Sequence, residues 1–224
     1  MKKTILVILL LLGMMFIANT QQAWAIITLD FNMDATHPLA ATIYYTGINS
    51  APLVGSDISV DTVMSLDDHI THNITEGILS FTTGGFTGSD PGDWYFSPGG
   101  SIELTGGILD LGIPAGTTLL TGSFSGTPRV IYLGGTSQIV GATFIDSKDS
   151  VLARWYGLSD NGYGYGWAGD INLSFAANGS PDSAFSSTLV KSGDITNTPI
   201  IPEPGSMMLL GMGILGLFGL RKKA

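Results

Sequence analysis

Ile58-Ser59-Val60-Asp61-Thr62-Val63-Met64-Ser65-Leu66-Asp67 alternates residue by residue. Ile58, Val60, Thr62, Met64 and Leu66 fall on one side, and Ser59, Asp61, Val63, Ser65 and Asp67 on the other. A period of two marks extended backbone with one face buried. The same reading holds for Ile102 and Leu104 around Glu103, and for Ile171, Leu173 and Phe175 around Asn172 and Ser174. Thr, Ile and Val dominate these runs, as strands prefer. Between them stand Gly84-Gly85, Gly99-Gly100, Gly106-Gly107, Gly134-Gly135, Asn161-Gly162 and Asp90-Pro91-Gly92-Asp93, all turn chemistry. No amphipathic helix of three turns is visible in this region. Many short strands at a spacing of about 8–12 residues predict an all-β domain, a β-sandwich or jelly roll. A β-solenoid is the runner-up, and no fixed repeat period supports it.

The two ends of the chain read differently. Met1-Lys2-Lys3-Thr4 precedes an apolar run from Ile5 to Ala18, and Ala23-Trp24-Ala25 follows. A basic start, a short apolar core and a small-x-small site describe a secretion signal cut after Ala25. The Sec translocon and a signal peptidase are the partners this implies. The run is short for a membrane span of about 20 residues. Residues 1–25 are therefore read as a signal peptide and 26–192 as a β-rich ectodomain. Residues 193–201, polar and ending in proline, are read as a linker.

Composition narrows the function classes. The chain of 224 residues has no cysteine, so an exported domain of this kind has no disulfide available. Between Ile26 and Ile201 the basic residues are Arg129, Lys148, Arg154 and Lys191. They stand against seventeen acidic ones, a balance of −13. Phosphate recognition needs basic patches, so nucleic acid is excluded as a partner.

The C-terminus has three parts in order. Pro202-Glu203-Pro204 is held extended by its prolines. An uncharged run from about 205 to 220 follows, close to the length of a membrane helix. Arg221-Lys222-Lys223 then holds the cytoplasmic side by the positive-inside tendency. Gly211-Met212-Gly213-Ile214-Leu215-Gly216 inside this run spells a dinucleotide-binding fingerprint, but it lies in an apolar helix and not in a βαβ unit.

This tail, residues 202–224, resembles the PEP-CTERM sorting tail of Gram-negative bacteria, a tail also labelled the ice-binding protein C-terminal domain. That second label describes the tail and is no evidence for ice binding. The resemblance implies recognition by an exosortase, a membrane-embedded cysteine protease. It implies a transient inner-membrane anchor, then release or transfer of the ectodomain to the cell surface or beyond. It also implies association with exopolysaccharide and biofilm.

Candidate sites in the ectodomain are weaker. Trp155, Tyr156, Tyr163, Tyr165 and Trp167 form the densest aromatic group, and Tyr163-Gly164-Tyr165-Gly166-Trp167 puts three rings on one face of an extended strand. Trp155, Tyr163, Tyr165 and Trp167 are the candidate carbohydrate-binding surface of a lectin-like module, set against ordinary burial of large rings. Asp90 with Asp93, Asp146 with Asp149, and Asp160 with Asn161 offer oxygens for calcium, though none has the EF-hand spacing. No cofactor is predicted, with calcium as the alternative. His69 and His72 near Asp67 and Asp68 match no metal-site spacing and read as a solvated turn; His37 stands apart. Three N-x-S/T sequons, at Asn73, Asn172 and Asn178, read as chance matches. The chain contains no G-x-S-x-G elbow and no thiol. Glu76 and Glu103 are the ectodomain's two glutamates. The expectation is a protein without catalytic residues, with a secreted hydrolase as the remote alternative.

Overall fold

The computed structural model describes residues 28–33, 41–67, 69–157, 166–178 and 183–200. The expected signal peptide with Ala23 and Ala25 lies outside the described residues. So do Pro202-Glu203-Pro204, the membrane helix at about 205–220 and Arg221-Lys222-Lys223. His37, Asp68, Asp160, Asn161, Tyr163 and Tyr165 lie outside them too.

The described chain is all-β, as the alternation predicts. In order come β1 (Leu29–Met33), β2 (Thr42–Tyr45), β3 (Pro52–Ser59), β4 (Thr62–Ser65) and β5 (Thr71–Asn73). Then follow β6 (Thr75–Asp90), β7 (Asp93–Phe96), β8 (Gly99–Ile108), β9 (Ile113–Phe124) and β10 (Arg129–Tyr132). A 3-10 turn at Leu109–Leu111 joins β8 to β9, and β11 (Ser137–Lys148), a short α-helix α1 (Ser150–Trp155), β12 (Trp167–Asn178) and β13 (Phe185–Pro199) complete it.

Every pairing is antiparallel, and the strands form one sheet. Hydrogen bonding runs β6–β8–β9–β11–β12–β13–β2–β3 and returns to β6. The two separate sheets of a sandwich are thus replaced by one sheet that closes on itself, leaving no open edge along this circuit. The cause is strand length. β6 pairs β8 through Thr75–Thr82 and β7 through Phe86–Asp90. β11 pairs β10 through Ser137–Val140 and β9 through Phe144–Lys148. β13 pairs β2 at Phe185 and Ser186, and β1 from Gly193 to Asn197. Each long strand serves two successive neighbours on one side and so stitches the two halves of the wall together.

The fold-deciding stretch is two strands. Ile58 and Val60 are buried as the alternation requires. The phase then slips: Val63 and Ser65 face inward, Met64 is half-buried and Leu66 is exposed. At the slip the backbone changes partners. Val60 N–H donates to the Gly77 carbonyl at 3.0 Å, and Asp61 N–H donates to the Asn32 carbonyl at 2.9 Å. An irregular step of this kind flips every later side chain to the other face.

The interior is filled by inward residues of short and long strands alike, including Phe31, Ile43, Leu79, Leu104, Phe144, Leu173 and Phe175. Both described chain ends leave at one pole. Leu29 lies opposite Asn197 on one side and Ser65 on the other. At the same pole Ile200 N–H donates to the Gly166 carbonyl at 3.0 Å. Gly166 sits at φ +86°, a left-handed conformation that suits glycine.

The segment expected as a linker is a correction. Gly193–Pro199 is the second half of β13, paired on one side to β1 and on the other to β12. Ile195 is wholly buried and Asn197 nearly so. Polar outward positions made the segment look solvated, while alternate inward positions hold it in the wall. Ile195→Ala is therefore expected to destabilise the domain by about 2–5 kcal/mol, read from chemical denaturation. A change within about 0.5 kcal/mol would return the segment to linker status.

Candidate functional site

The densest chemistry lies inside the wall, where β11, β12 and β13 run side by side. Phe144, Asp146 and Lys148 alternate inward along β11. Ile195 and Asn197 do the same along β13. Lys148 Nζ pairs with Asp146 Oδ2, and both side chains have no exposure to solvent. Asn197 Nδ2 donates to the other carboxyl oxygen, Asp146 Oδ1, at 2.9 Å. Asn197 reaches across β12 because Gly169 lies between. A Cβ at Gly169 would stand 2.2 Å from the Phe144 ring and 2.4 Å from Asn197 Nδ2. Lys148 Nζ also sits 4.7 Å from the centre of the Trp167 ring and 5.7 Å from that of Phe31.

Burial dominates the electrostatics of this cluster. It pushes the Asp146 carboxyl up to about 6, against the pull of Lys148 and Asn197. It brings the Lys148 amine down to about 8, against the pull of Asp146. Removing two charges from water offsets most of what their attraction returns, so the pair stabilises less than its closeness suggests. Among the described residues, Asn197 Oδ1 and Trp167 Nε1 are buried without a hydrogen-bond partner.

The aromatic surface is corrected in part. Trp167 is fully buried, at the start of β12, and packs over Lys148. It therefore cannot stack on a sugar. Trp155, at the end of α1, is 54% exposed and lies edge-on to His72 with ring centres 5.5 Å apart. Tyr163 and Tyr165 lie outside the described residues.

The acidic pairs proposed for calcium have other partners. Asp149 caps α1, accepting from the backbone N–H of Val151 at 2.9 Å and of Leu152 at 3.0 Å. Asp146 is in the buried cluster. Asp90 accepts from the Tyr95 hydroxyl at 3.1 Å, and Asp93 pairs with Arg129. His72 is buried, with Nδ1 3.6 Å from Asp110 Oδ2, while His69 takes φ +59° after the β4 turn. Among the described residues no group of three or more His, Asp or Glu side chains is placed to hold a metal ion.

A second acidic feature lies on the outer face. Asp30 and Asp170 flank Thr196 on adjacent strands, and Asp194 stands between Asn32 and Asn172 two residues along. Partial burial raises all three carboxyls above the ordinary value of 3.8, and the charge of Asp194 raises Asp30 and Asp170 further. A raised carboxyl holds its proton more tightly in the folded state. Its contribution to stability is present below the unfolded pKa and is lost as pH rises through the folded one. Asp194→Asn is therefore expected to raise the thermal midpoint near about pH 7 and to leave it unchanged near about pH 3. An equal shift at both values would mean that charge is not the cause.

The sequence missed Lys148 and Asn197 as partners and offered Asp146 with Asp149 as calcium oxygens. The signal was present: Phe144, Asp146 and Lys148 share one phase, and so do Ile195 and Asn197. A buried anchor at Phe144 carries the two charges inward with it.

No curated protein and no solved structure matches the chain. Residues 201–223 match the family model described as the PEP-CTERM protein-sorting motif. They begin directly after Ile200, where the described fold ends. The chain thus carries a PEP-CTERM sorting signal, which marks it as an exported protein addressed to an exosortase by way of the membrane.

Proposed function

We propose that this is a non-catalytic surface or matrix protein: a closed β-domain exported by its signal peptide, held briefly in the inner membrane, and freed by an exosortase. Its destination is the cell surface or the extracellular polysaccharide layer, where it acts as a structural component. The observation that carries the reading is the sorting motif at residues 201–223, joined without spacer to a strand in the wall of the domain.

The geometry is compatible with that route. Both described ends leave at one pole, so a membrane-held tail keeps that pole toward the bilayer. Leu66 and Ile70, in the turn after β4 beside Thr28 and Ser65, are exposed apolar side chains at this pole. Apolar groups of this kind tolerate a membrane interface. The buried Asp146–Lys148 pair is sealed from solvent and has no path to a soluble substrate, which favours a structural over a catalytic role.

A sugar-binding role rests on Trp155 alone among the described rings, and no further observation favours it.

The test is replacement of Pro202, Glu203 and Pro204 together by Ala in a host that has an exosortase. The expected result is a full-length chain retained in the membrane fraction, with the wild type shortened and released. Unchanged processing of the triple variant would overturn the reading.

A further inference from the structure

The Asp146–Lys148–Asn197 cluster holds more chemistry than an ion pair uses. The amine of Lys148 and the carboxamide of Asn197 contact the two oxygens of a single carboxyl group, so they lie side by side. They come from strands separated by β12 and from positions 49 residues apart in the chain, 148 and 197. All three side chains are buried, and Trp167 and Phe31 lie against the amine.

A dry site favours neutral groups. A neutral Lys148 amine has a free lone pair and is a nucleophile. A protonated Asp146 carboxyl is a proton donor. Burial shifts both groups in that direction. Asn197 Oδ1 is without a partner among the described residues. A half turn of the carboxamide exchanges Oδ1 with Nδ2, and Oδ1 then accepts from the Asp146 O–H. That hydrogen bond polarises Cγ toward attack. Exclusion of water removes the competing hydrolysis.

The geometry points to a covalent cross-link: an amide bond between Lys148 Nζ and Asn197 Cγ, formed within the folded chain with Asp146 as the proton-transfer group.

The step balances without any added reagent. The Nζ lone pair forms a bond to Cγ, and the carbonyl π electrons move to Oδ1, which takes the Asp146 proton. The Asp146 carboxylate then removes a proton from Nζ and passes it to Nδ2. The Cγ–Nδ2 bond breaks and the nitrogen leaves with its electron pair as ammonia. Oδ1 returns its proton to Asp146 as the C=O bond reforms. A primary amine and a primary carboxamide become a secondary amide and one ammonia, with no change of oxidation state. The product ties β11 to β13, the strand from which the sorting tail hangs. It gives a chain without cysteine a cross-link of its own.

Mass spectrometry of the full chain, expressed in a host without an exosortase, decides the matter. Cleavage after Lys148 is blocked if its amine is acylated. A denaturing tryptic digest is expected to yield Val130–Arg154 joined to Ser192–Arg221, lighter than the two peptides together by about 17 Da, one ammonia. Lys148→Met and Asp146→Ala are each expected to restore separate peptides of full mass. Asn197→Asp keeps the shape and changes the leaving group to water, so its joined product is lighter by about 18 Da. Separate peptides of full mass from the wild type, cut after Lys148, would overturn the proposal. So would a 17 Da deficit, about one ammonia, that persists in Lys148→Met, since succinimide formation at Asn161-Gly162 or Asn178-Gly179 gives the same loss.

Discussion

Three polar side chains in a dry interior constrain this fold more than any other contact. Lys148 and Asn197 both find their partner on one carboxyl group, that of Asp146. An unpaired charge left there would be far more costly than a missing methyl group. The cluster therefore fixes the register of β11 and β13 against β12. A slip of one residue on β11 would turn Asp146 and Lys148 outward and bring Ile145 and Ser147 in. Gly169 is part of the same constraint, because any side chain there would part Asn197 from Phe144. Hydrophobic burial gives this wall its stability, and the polar cluster selects which alignment of strands is the native one.

The position of that cluster links fold to sorting. It stands at the pole where the described chain ends, with Lys148 two residues before α1 and Asn197 a few residues before the PEP-CTERM motif. The strand carrying Asn197 is bonded on both edges, so a pull on the tail is met by shear across two ladders. A membrane enzyme working at the motif thus acts beside a rigid body.

Much of this was legible in the sequence, and the failures have physical causes. Alternation around Glu103 and from Ile171 to Phe175 located β8 and β12 with the correct inward faces. The sorting tail was readable because its three parts depend on order and composition alone. The phase slip after Val60 was not readable. It depends on hydrogen bonds to Asn32 and Gly77, which are distant in sequence. Closure of the sheet was hidden for the same reason: nothing local in β6, β11 or β13 announces two successive partners. Trp167 drew attention as a surface ring because Tyr and Gly precede it, yet the strand that starts there points it inward. Residues 193–199 looked like a linker because their outward positions are polar. A polar outer face on a two-sided wall and a solvated linker have the same composition.

The central claim is that the folded body runs without interruption to the edge of the sorting motif, locked there by the interior cluster. Amide hydrogen exchange across β13 measures this most directly. The amides of Ile195 and Asn197 are expected to exchange as slowly as those of Ile171 and Leu173 in β12, at the rate of global unfolding. Exchange near the rate of an unstructured peptide from Gly193 onward, with β12 still protected, would contradict it.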